Sequence, residues 1–374
     1  MELEHLASLF QENFSRYGEL GAAVSVWQYG KPVLELNGGF RDAKREQPWT
    51  GDTLVLFWSA TKGIGSACLL HVLQERNIAL DRCVAEFWPE FAQSGKDTIT
   101  LAQLLSHQAG LSALDETADI CDYEAVIRAI EKQKPLWKPG TAHGYHARTF
   151  GFLVDETTRR ISGKRISEYW RATFAEPMRL DLWIGLPESE EPRTATIYAA
   201  KARGEQRPVE FYRELATPGT LVRKTFTSPR GLNSIAEMNK RERRALQIVS
   251  FSGIGSAPSL AKFYAMLAND GRMEGRRYFE PETIAQMTTA LASGIDRILQ
   301  LPTAFSAGFM KDAAETSQRI FGPSASAFGH PGAGGSDAFA DPENGISFAY
   351  VMNQMEQSLM PNEKSGRLVD AVYG

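Results

Sequence analysis

The spacing of hydrophobic and polar positions divides this chain into helical and extended segments. Apolar residues recur every three or four positions over residues 3–17, which predicts an amphipathic helix. The stretch GAAVSVWQYGKPVLELNGGF, residues 21–40, is apolar and β-branched on both sides of Tyr29-Gly30, so it predicts two strands joined by a tight turn. Helical spacing returns in SATKGIGSACLLHVLQERN, residues 59–77, where a further helix is expected.

The middle of the chain is helical in pattern, and its last third is extended. From residue 77 to about residue 245 the pattern is mostly helical and is interrupted by Pro and Gly. The later segment SLAKFYAMLANDG predicts another helix, with Gly271 as its C-cap. The stretch ASAFGHPGAGGSDAFADPENGISFAYVMNQM, residues 325–355, predicts strands separated by glycine-rich turns. A final helix is expected in NEKSGRLVDAVYG, residues 362–374.

Strand-rich ends on both sides of a helical middle predict an α+β fold with two lobes. The simplest packing places both ends in one antiparallel sheet covered by helices, as an α/β domain of residues 1–60 and 245–374. Residues 61–244 would form a mainly helical domain, with a ligand cleft between the two. The polar residues 200–245 fit either a long loop over the cleft or a solvated excursion, and we favour the second.

Composition narrows the classes of partner. The 374 residues carry a net charge of −4 and are 43% hydrophobic, as in a soluble globular protein with no strong attraction to nucleic acid or membrane. Cys68, Cys83 and Cys121 are too few for a disulfide framework and fit a reducing compartment. The N-terminal segment lacks a signal-peptide pattern, and no apolar run approaches the ~20 residues of a membrane span. We therefore expect a cytoplasmic protein, whose oligomeric state is unknown.

Two Ser-x-x-Lys segments raise the question of a nucleophile. A serine at a helix start is most often an N-cap, and that interpretation of Ser59 stands beside a catalytic one. Residues three apart on a helix share a face, so Ser59 and Lys62 can touch, and the preceding apolar TLVLFW would desolvate the amine and lower its pKa. Such a lysine is a base for a serine nucleophile. Ser259 lacks this setting, and we expect Lys262 to point to solvent.

Other catalytic and ligand-binding patterns are weaker. The chain has no Gly-x-Ser-x-Gly, and residues 304–308, which differ from it at one position, lack the strand–elbow–helix surroundings. His143 and His146 have no acidic or cysteine cluster beside them, which argues against a metal site. Gly63 and Gly65 lack the third glycine of a dinucleotide-binding loop. We therefore expect neither a metal nor a cofactor.

Four longer segments occur in a specific order. They are FWSATKG; NIALDRCVAEFWPEF followed by ITLAQLLSHQAGL; WKPGTAHGYHARTFGFLV; and FGHPGAGGSDAFADPENGISFAYVMNQ. Together they resemble the serine β-lactamase and penicillin-binding protein superfamily, and within it the class C β-lactamase-like branch that includes family VIII carboxylesterases. The resemblance covers most of the chain and implies a β-lactamase-like fold, with the active site between the sheet domain and the helical lobe.

The resemblance also implies roles for particular residues. Ser59 would be the acyl-accepting nucleophile, and Lys62 and Tyr145 would together move its proton; which of them is deprotonated at rest stays open. The backbone N–H groups of Ser59 and Ala333 would form the oxyanion hole. His107 would be structural. The expected substrate-binding residues are Trp58, His330 and Gly332, the last two on a strand over residues 330–336.

Two departures separate this chain from β-lactamases. Ala147 stands where they have an asparagine whose amide binds the substrate side chain and contacts the lysine. His330-Pro331-Gly332 replaces their Lys-Thr-Gly, and a neutral imidazole binds a carboxylate less well than an ammonium group does. Pro331 also removes a backbone donor. Both changes are compatible with esters that lack a carboxylate.

We therefore predict a serine hydrolase that cleaves carboxylic esters through an acyl-Ser59 intermediate. A β-lactamase or D,D-peptidase-like amide hydrolase and an acyltransferase of the same fold remain alternatives, because the sequence shows neither pocket shape nor water access. A non-catalytic binding protein is a further alternative, but the joint presence of Ser59, Lys62 and Tyr145 speaks against it. The expected partner is a small-molecule ester, with no nucleic acid and no membrane.

Overall fold

A computed structural model describes residues 3–200, 209–314, 316 and 319–374 of the protein. The described strands are β1 (Gly21–Gln28), β2 (Lys31–Gly39), β3 (Val55–Leu56), β4 (Leu182–Ile184), β5 (Gly253–Gly255), β6 (Arg272–Met273), β7 (Arg276–Arg277), β8 (Ala292–Ile295), β9 (Pro302–Phe305), β10 (Met310–Lys311), β11 (Phe328–Gly329), β12 (Asp337–Asp341) and β13 (Ile346–Met352). Eight of them form an antiparallel sheet in the order β2-β1-β13-β12-β11-β10-β9-β8. Smaller sheets have the orders β3-β5-β4 and β6-β7.

Helices cover this sheet and make up most of the middle of the chain. The described α-helices are α1 (Leu3–Ser15), α2 (Thr61–Glu75), α3 (Leu101–Leu105), α4 (Tyr123–Lys132), α5 (Thr149–Ser162), α6 (Ile166–Trp170), α7 (Val209–Ala216), α8 (Leu221–Thr227), α9 (Arg241–Arg244), α10 (Ala257–Ala268), α11 (Pro281–Thr288) and α12 (Glu363–Tyr373). Within the described ranges, none of the helices combines the length and apolar character needed to cross a membrane.

The large sheet joins the two ends of the chain, which confirms the predicted α+β fold. Its strands come from residues 21–39 and 292–352. Tyr29 and Gly30 form the turn of the first hairpin with φ of 48° and 73°, the left-handed pair that matches the twist of two antiparallel strands. The predicted domain boundaries at residues 60 and 245 stay a prediction.

Both faces of the sheet are covered, and β13 shows this because it is buried at every position. The Ser347 hydroxyl donates to the carbonyl of Ala261 in α10 at 2.9 Å. The Tyr350 hydroxyl donates to Glu19 at 2.7 Å, beside α12. Residues 347 and 350 are an odd number of positions apart on a strand, so they face opposite sides of the sheet. The core therefore lies on both sides, between α10 on one face and α1 with α12 on the other.

The end of α10 differs from the expectation. Its C-cap is Asn269, and Gly271 lies two residues further on with φ of 70°. The Asn269 side chain donates to the carbonyl of Arg272 at 3.1 Å and so closes the turn into β6. Gly271 is needed there because a Cβ would lie 2.3 Å from the carbonyl oxygen of Phe279.

The second Ser-x-x-Lys segment is structural. Ser256 is the N-cap of α10, and the Ser259 hydroxyl accepts a hydrogen bond from the N–H of Asp181 at 2.8 Å. The expectation that Lys262 points to solvent is wrong, because its amine donates to the carbonyl of Met178 at 3.0 Å and to Glu274 at 2.6 Å. These contacts tie α10 to the chain on either side of it.

The expectation of a solvated excursion over residues 200–245 is also wrong for its described part. Val222 and Thr225 of α8 are fully buried, and the Thr225 hydroxyl donates to Ser112 at 3.0 Å. This segment thus packs on the body of the protein through buried apolar residues such as Phe211, Val222 and Met238. Residues 201–208 lie outside the described ranges.

A buried ion pair joins the two ends of the chain to the sheet, and it gives a test of stability. The Lys364 amine lies 3.0 Å from Glu19, whose carboxylate also accepts the Tyr350 hydroxyl. Lys364→Met should lower the free energy of unfolding by about 3–5 kcal/mol, because it leaves a buried carboxylate without its cation. Urea unfolding followed by circular dichroism measures this. The double variant Glu19→Gln/Lys364→Met should recover part of the loss, because Glu356, 3.0 Å from the same amine, still loses its cation. Unchanged stability of Lys364→Met would contradict the assignment.

Candidate active site

Ser59 lies in a short 3-10 turn, Trp58–Ala60, between β3 and α2. The N–H of Phe57 donates to the carbonyl of Gly253 at 3.1 Å, which fixes the end of β3 against β5. The Thr61 hydroxyl closes the turn by donating to the carbonyl of Trp58 at 2.5 Å. The N-cap of α2 is Ala60, and no side chain caps the helix. The N-cap interpretation of Ser59 is therefore wrong, and its hydroxyl is available for chemistry.

The Lys62 side chain is fully buried and reaches the Ser59 hydroxyl. Its Nζ lies 3.2 Å from Ser59 Oγ and donates to the carbonyls of Ala147 at 3.1 Å and Ser250 at 2.7 Å. Burial lowers the pKa of this amine well below its ordinary value of 10.5. A neutral amine beside the serine is the state that this environment favours.

The two carbonyls also orient that amine. A neutral amine has two N–H donors and one lone pair, and a carbonyl oxygen can only accept. Ala147 and Ser250 therefore take both N–H groups, so the lone pair is directed at the remaining partner, the hydroxyl of Ser59. In this neutral state the Ser59 hydroxyl could donate to Lys62, which is the arrangement expected of a nucleophile with its base.

Tyr145 completes the group from the loop before α5. Burial raises the pKa of its phenol above the ordinary 10.0, although a hydrogen bond with Ser59 acts in the opposite direction. Its ring lies 4.8 Å from Lys62 Nζ and stacks on Phe305 with 6.3 Å between ring centres. Burial thus favours a protonated phenol beside a neutral amine, and the roles of Lys62 and Tyr145 in moving the proton of Ser59 stay a prediction.

Asp296 holds the Tyr145 loop in place, and sequence reasoning missed it. Its buried carboxylate accepts the N–H of Tyr145 at 3.1 Å, of Ile298 at 2.7 Å and of Leu299 at 2.8 Å. Burial raises the pKa of this carboxyl, and the three N–H donors act in the other direction. No motif marks Asp296, because its partners are backbone groups, and the one in the site, Tyr145, lies 151 residues away in the sequence.

Ser250 is a second positioning residue that was missed. Its hydroxyl donates to the carbonyl of Arg148 at 2.6 Å and accepts the N–H of Gly151 at 2.7 Å, while its own carbonyl accepts from Lys62. One residue therefore links the base to the start of α5. The small residues of SFSGIGS, which permit close backbone approach, were the available signal.

The predicted strand over residues 330–336 is instead the connection between β11 and β12. The N–H of Gly332 donates to the carbonyl of Ser336 at 2.7 Å, and Gly334 and Gly335 have φ of 89° and 117°, which no extended strand allows. A Cβ on Gly332 would lie 2.2 Å from the carbonyl oxygen of Phe57. Glycine is thus required where this turn packs against the turn that carries Ser59.

His330 lies at the start of this connection and is neutral. Its Nδ1 is 2.8 Å from the carbonyl of Pro331, which can only accept, so Nδ1 carries the proton. Burial is the main cause that lowers the pKa of the imidazole to about 3, and the nearby Lys62 is a smaller cause in the same direction. Its ring centre is 5.9 Å from that of Tyr145. The structure thus brings His330 to the catalytic group without the positive charge of the lysine it replaces.

The predicted oxyanion hole consists of the backbone N–H groups of Ser59 and Ala333. Ser59 is in the first turn of its helical segment, where N–H groups have no partner within the helix. Among the described residues, no acceptor pairs with the N–H of Ala333. Both residues line the same cavity, so the assignment of an oxyanion hole to them fits this geometry and stays a prediction.

A cavity of about 160 Å³ opens over Ser59. Its described lining residues are Trp58, Ser59, Tyr145, Ala147, Arg148, Phe226, Leu232, Phe251, Leu299, Met310, His330, Pro331, Ala333, Leu359 and Met360. Most of them are apolar. Residues 226–232, here called the cap segment, come from the region that the sequence placed in solvent. The Arg148 guanidinium donates to the carbonyls of Pro229 at 2.6 Å and Leu232 at 2.9 Å and so holds this segment in place.

Three other histidines near the site, His107, His143 and His146, make hydrogen bonds within the protein. His146 Nε2 accepts the N–H of Leu111 at 2.9 Å, and its Nδ1 donates to the carbonyl of Gly144 at 2.7 Å. His107 Nδ1 accepts the N–H of His146 at 3.1 Å. His143 bonds Thr303 at 2.8 Å. No group of three His, Cys, Asp or Glu side chains in the described ranges is placed to hold a metal ion.

Comparison with known proteins identifies the family. The sequence profile of the beta-lactamase family matches residues 6–371. The chain belongs to the beta-lactamase family. A relative of this family, the esterase/beta-lactamase LipL of Mycobacterium tuberculosis, is 30% identical over 94% of this chain and 80% of its own length.

Two solved structures of similar proteins cover the whole chain. A penicillin-binding protein homologue from Caulobacter crescentus is 37% identical, with a TM-score of 0.88 over 100% of this chain and 97% of its own. A family VIII carboxylesterase is 33% identical, with a TM-score of 0.89 over the same shares. The protein is thus a hydrolase of the serine β-lactamase fold, as the resemblance of its four segments predicted.

The neutral state of Lys62 gives a prediction for the reactivity of Ser59. Labelling by a fluorophosphonate should speed up as pH rises and level off at a midpoint well below 10.5, because the deprotonated amine is the base and burial lowers its pKa. Intact mass spectrometry after timed exposure measures the rate. Lys62→Arg, which stays protonated, should label at a small fraction of the wild-type rate at every pH. A midpoint near 10.5 would contradict the assignment.

Proposed function

We propose that this protein hydrolyses carboxylic esters through an acyl intermediate on Ser59. The observation that carries the proposal is the buried amine of Lys62, 3.2 Å from the Ser59 hydroxyl and turned towards it by two backbone carbonyls. The apolar cavity above this pair supports a small organic ester as the substrate. No part of the proposed chemistry calls for a metal or a cofactor.

Acylation follows from the proton positions at the site. Ser59 Oγ attacks the ester carbonyl carbon as its proton passes to Lys62 Nζ, and a tetrahedral oxyanion forms. The N–H groups of Ser59 and Ala333 are proposed to stabilise that oxyanion. Tyr145 donates its proton to the alkoxide as the bond to the alcohol breaks, and Lys62 returns a proton to Tyr145. Deacylation by water reverses this relay, because a proton must then leave the water and return to Ser59.

Two positions in the site, Ala147 and His330, support esters over β-lactams as the substrates. Ala147 offers a methyl group and a carbonyl, and that carbonyl is occupied by Lys62. His330 is neutral and buried where an ammonium group would bind the β-lactam carboxylate. The similarity to a family VIII carboxylesterase supports the same preference. The similarity to an esterase/beta-lactamase keeps β-lactam hydrolysis as the second candidate.

The proposal predicts the effect of removing each catalytic group. Ser59→Ala should abolish hydrolysis of p-nitrophenyl esters and the acyl adduct seen by intact mass, since the described site holds no other nucleophile. Lys62→Ala and Tyr145→Phe should each lower kcat by about 10³-fold, because the three side chains act as a unit. Near-normal turnover in either variant would overturn the proposed relay.

The two departures predict how β-lactam hydrolysis can be raised. Ala147→Asn/His330→Lys should increase nitrocefin turnover by about tenfold or more and lower ester turnover, because it restores an amide donor and a cation at the pocket. Wild-type turnover of nitrocefin equal to that of a p-nitrophenyl ester would favour the second candidate function. Thermal unfolding of the double variant checks that its fold is intact.

A further inference from the structure

One residue with a fixed charge lines the cavity above Ser59. Among the described residues that line it, Arg148 alone carries a full charge near neutral pH, since His330 and the phenol of Tyr145 are uncharged. Burial lowers the pKa of the guanidinium to about 10, which still leaves it protonated. A cation in mostly apolar surroundings is costly to the protein unless an anion or several acceptors compensate it.

The protein supplies this guanidinium with acceptors but with no paired carboxylate. Its Nη1 and Nη2 each donate to one carbonyl of the cap segment. In the described ranges no carboxylate lies within ion-pair distance. Glu237 acts on the charge of Arg148 from farther away, and its carboxylate accepts the N–H of Asn233. A guanidinium has five N–H donors, so three remain for another partner.

We propose that Arg148 binds an anionic group of the substrate, and that the preferred esters therefore carry a carboxylate. The inference rests on the proposed ester hydrolysis at Ser59, and it reverses the sequence-based expectation that the substrate lacks a carboxylate. β-Lactamases have a cation at the position of His330, and in this chain Arg148, the residue before α5, would supply it instead. The planar guanidinium can donate two parallel hydrogen bonds to a carboxylate, which an ammonium group cannot match in geometry.

Matched pairs of esters test the charge alone. The first pairs are p-nitrophenyl monoesters of succinic, glutaric and adipic acid against the corresponding monoamides, with uncatalysed hydrolysis subtracted. A further pair, 4-acetoxybenzoate against 4-acetoxybenzamide, places the charge on the alcohol side. In the wild type at least one acid should exceed its amide in kcat/KM by about tenfold or more, the value of one charge-assisted hydrogen bond. Arg148→Met should bring that ratio to about one, and Arg148→Lys should retain part of it.

Arg223 provides the matched control. It also donates to two carbonyls, those of Leu215 and Ala216, but it does not line the cavity. Arg223→Met should therefore leave the acid-to-amide ratio unchanged. If every wild-type ratio is near one, or if Arg148→Met keeps the wild-type ratio, the inference is wrong. If Arg223→Met and Arg148→Met change the ratio equally, the effect does not depend on a charge at the cavity, and the inference is again wrong.

A binding measurement separates this inference from the proposed function. The Ser59→Ala protein, titrated by calorimetry with adipic acid monoamide and with adipamide, should bind the anion at least about tenfold more tightly. Adding Arg148→Lys should weaken the difference, and Arg148→Met should remove it. Equal binding of the two ligands would overturn the inference whether or not the wild type hydrolyses esters. Loss of ester hydrolysis with retained anion binding would instead refute the proposed function alone.

Discussion

The buried amine of Lys62 is the constraint on which the rest of the site depends. A lysine can be fully buried without a counter-ion only if it is neutral and its N–H groups find acceptors. Here the acceptors are the carbonyls of Ala147 and Ser250, from two segments far from α2 in the sequence. The fold must therefore bring three segments within hydrogen-bonding distance of one nitrogen. Gly65 shows how closely they pack, because a Cβ there would lie 2.1 Å from Val249, next to Ser250.

The same burial shifts the pKa values of both members of the proposed proton relay, Lys62 and Tyr145, in opposite directions. Desolvation disfavours the charged form, which is the protonated state of Lys62 and the deprotonated state of Tyr145. A single property, the exclusion of water beneath Ser59, thus prepares one acceptor and one donor. Asp296 contributes by position, since it binds the N–H of Tyr145 and leaves the phenol free to face the serine. The apolar packing around the site is for this reason part of its chemistry.

The sequence predicted what depends on local pattern and on short motifs. The first hairpin, α2, the C-terminal strands and the last helix follow from apolar spacing and turn residues, and the four segments in order indicated Ser59, Lys62 and Tyr145. It did not reveal Asp296 or Ser250, because both act through backbone groups of remote segments and carry no motif. It placed residues 330–336 in a strand, although Gly334 and Gly335 require a turn. Residues 226–232 were misjudged because a polar segment can cover a cavity with only Phe226 and Leu232 facing inward.

Arg148 connects the residues around Lys62 with the cap segment. Its carbonyl accepts from Ser250, whose own carbonyl holds Lys62, and its guanidinium holds the cap segment over the cavity. A ligand that binds the guanidinium would therefore affect both the cap segment and Ser250, whose carbonyl orients Lys62. Because burial favours the neutral forms of Lys62 and His330, the positive field inside the cavity comes from Arg148, and low polarity there strengthens it. The burial that favours a neutral lysine thus also leaves Arg148 as the one charged side chain among the described residues that line the cavity.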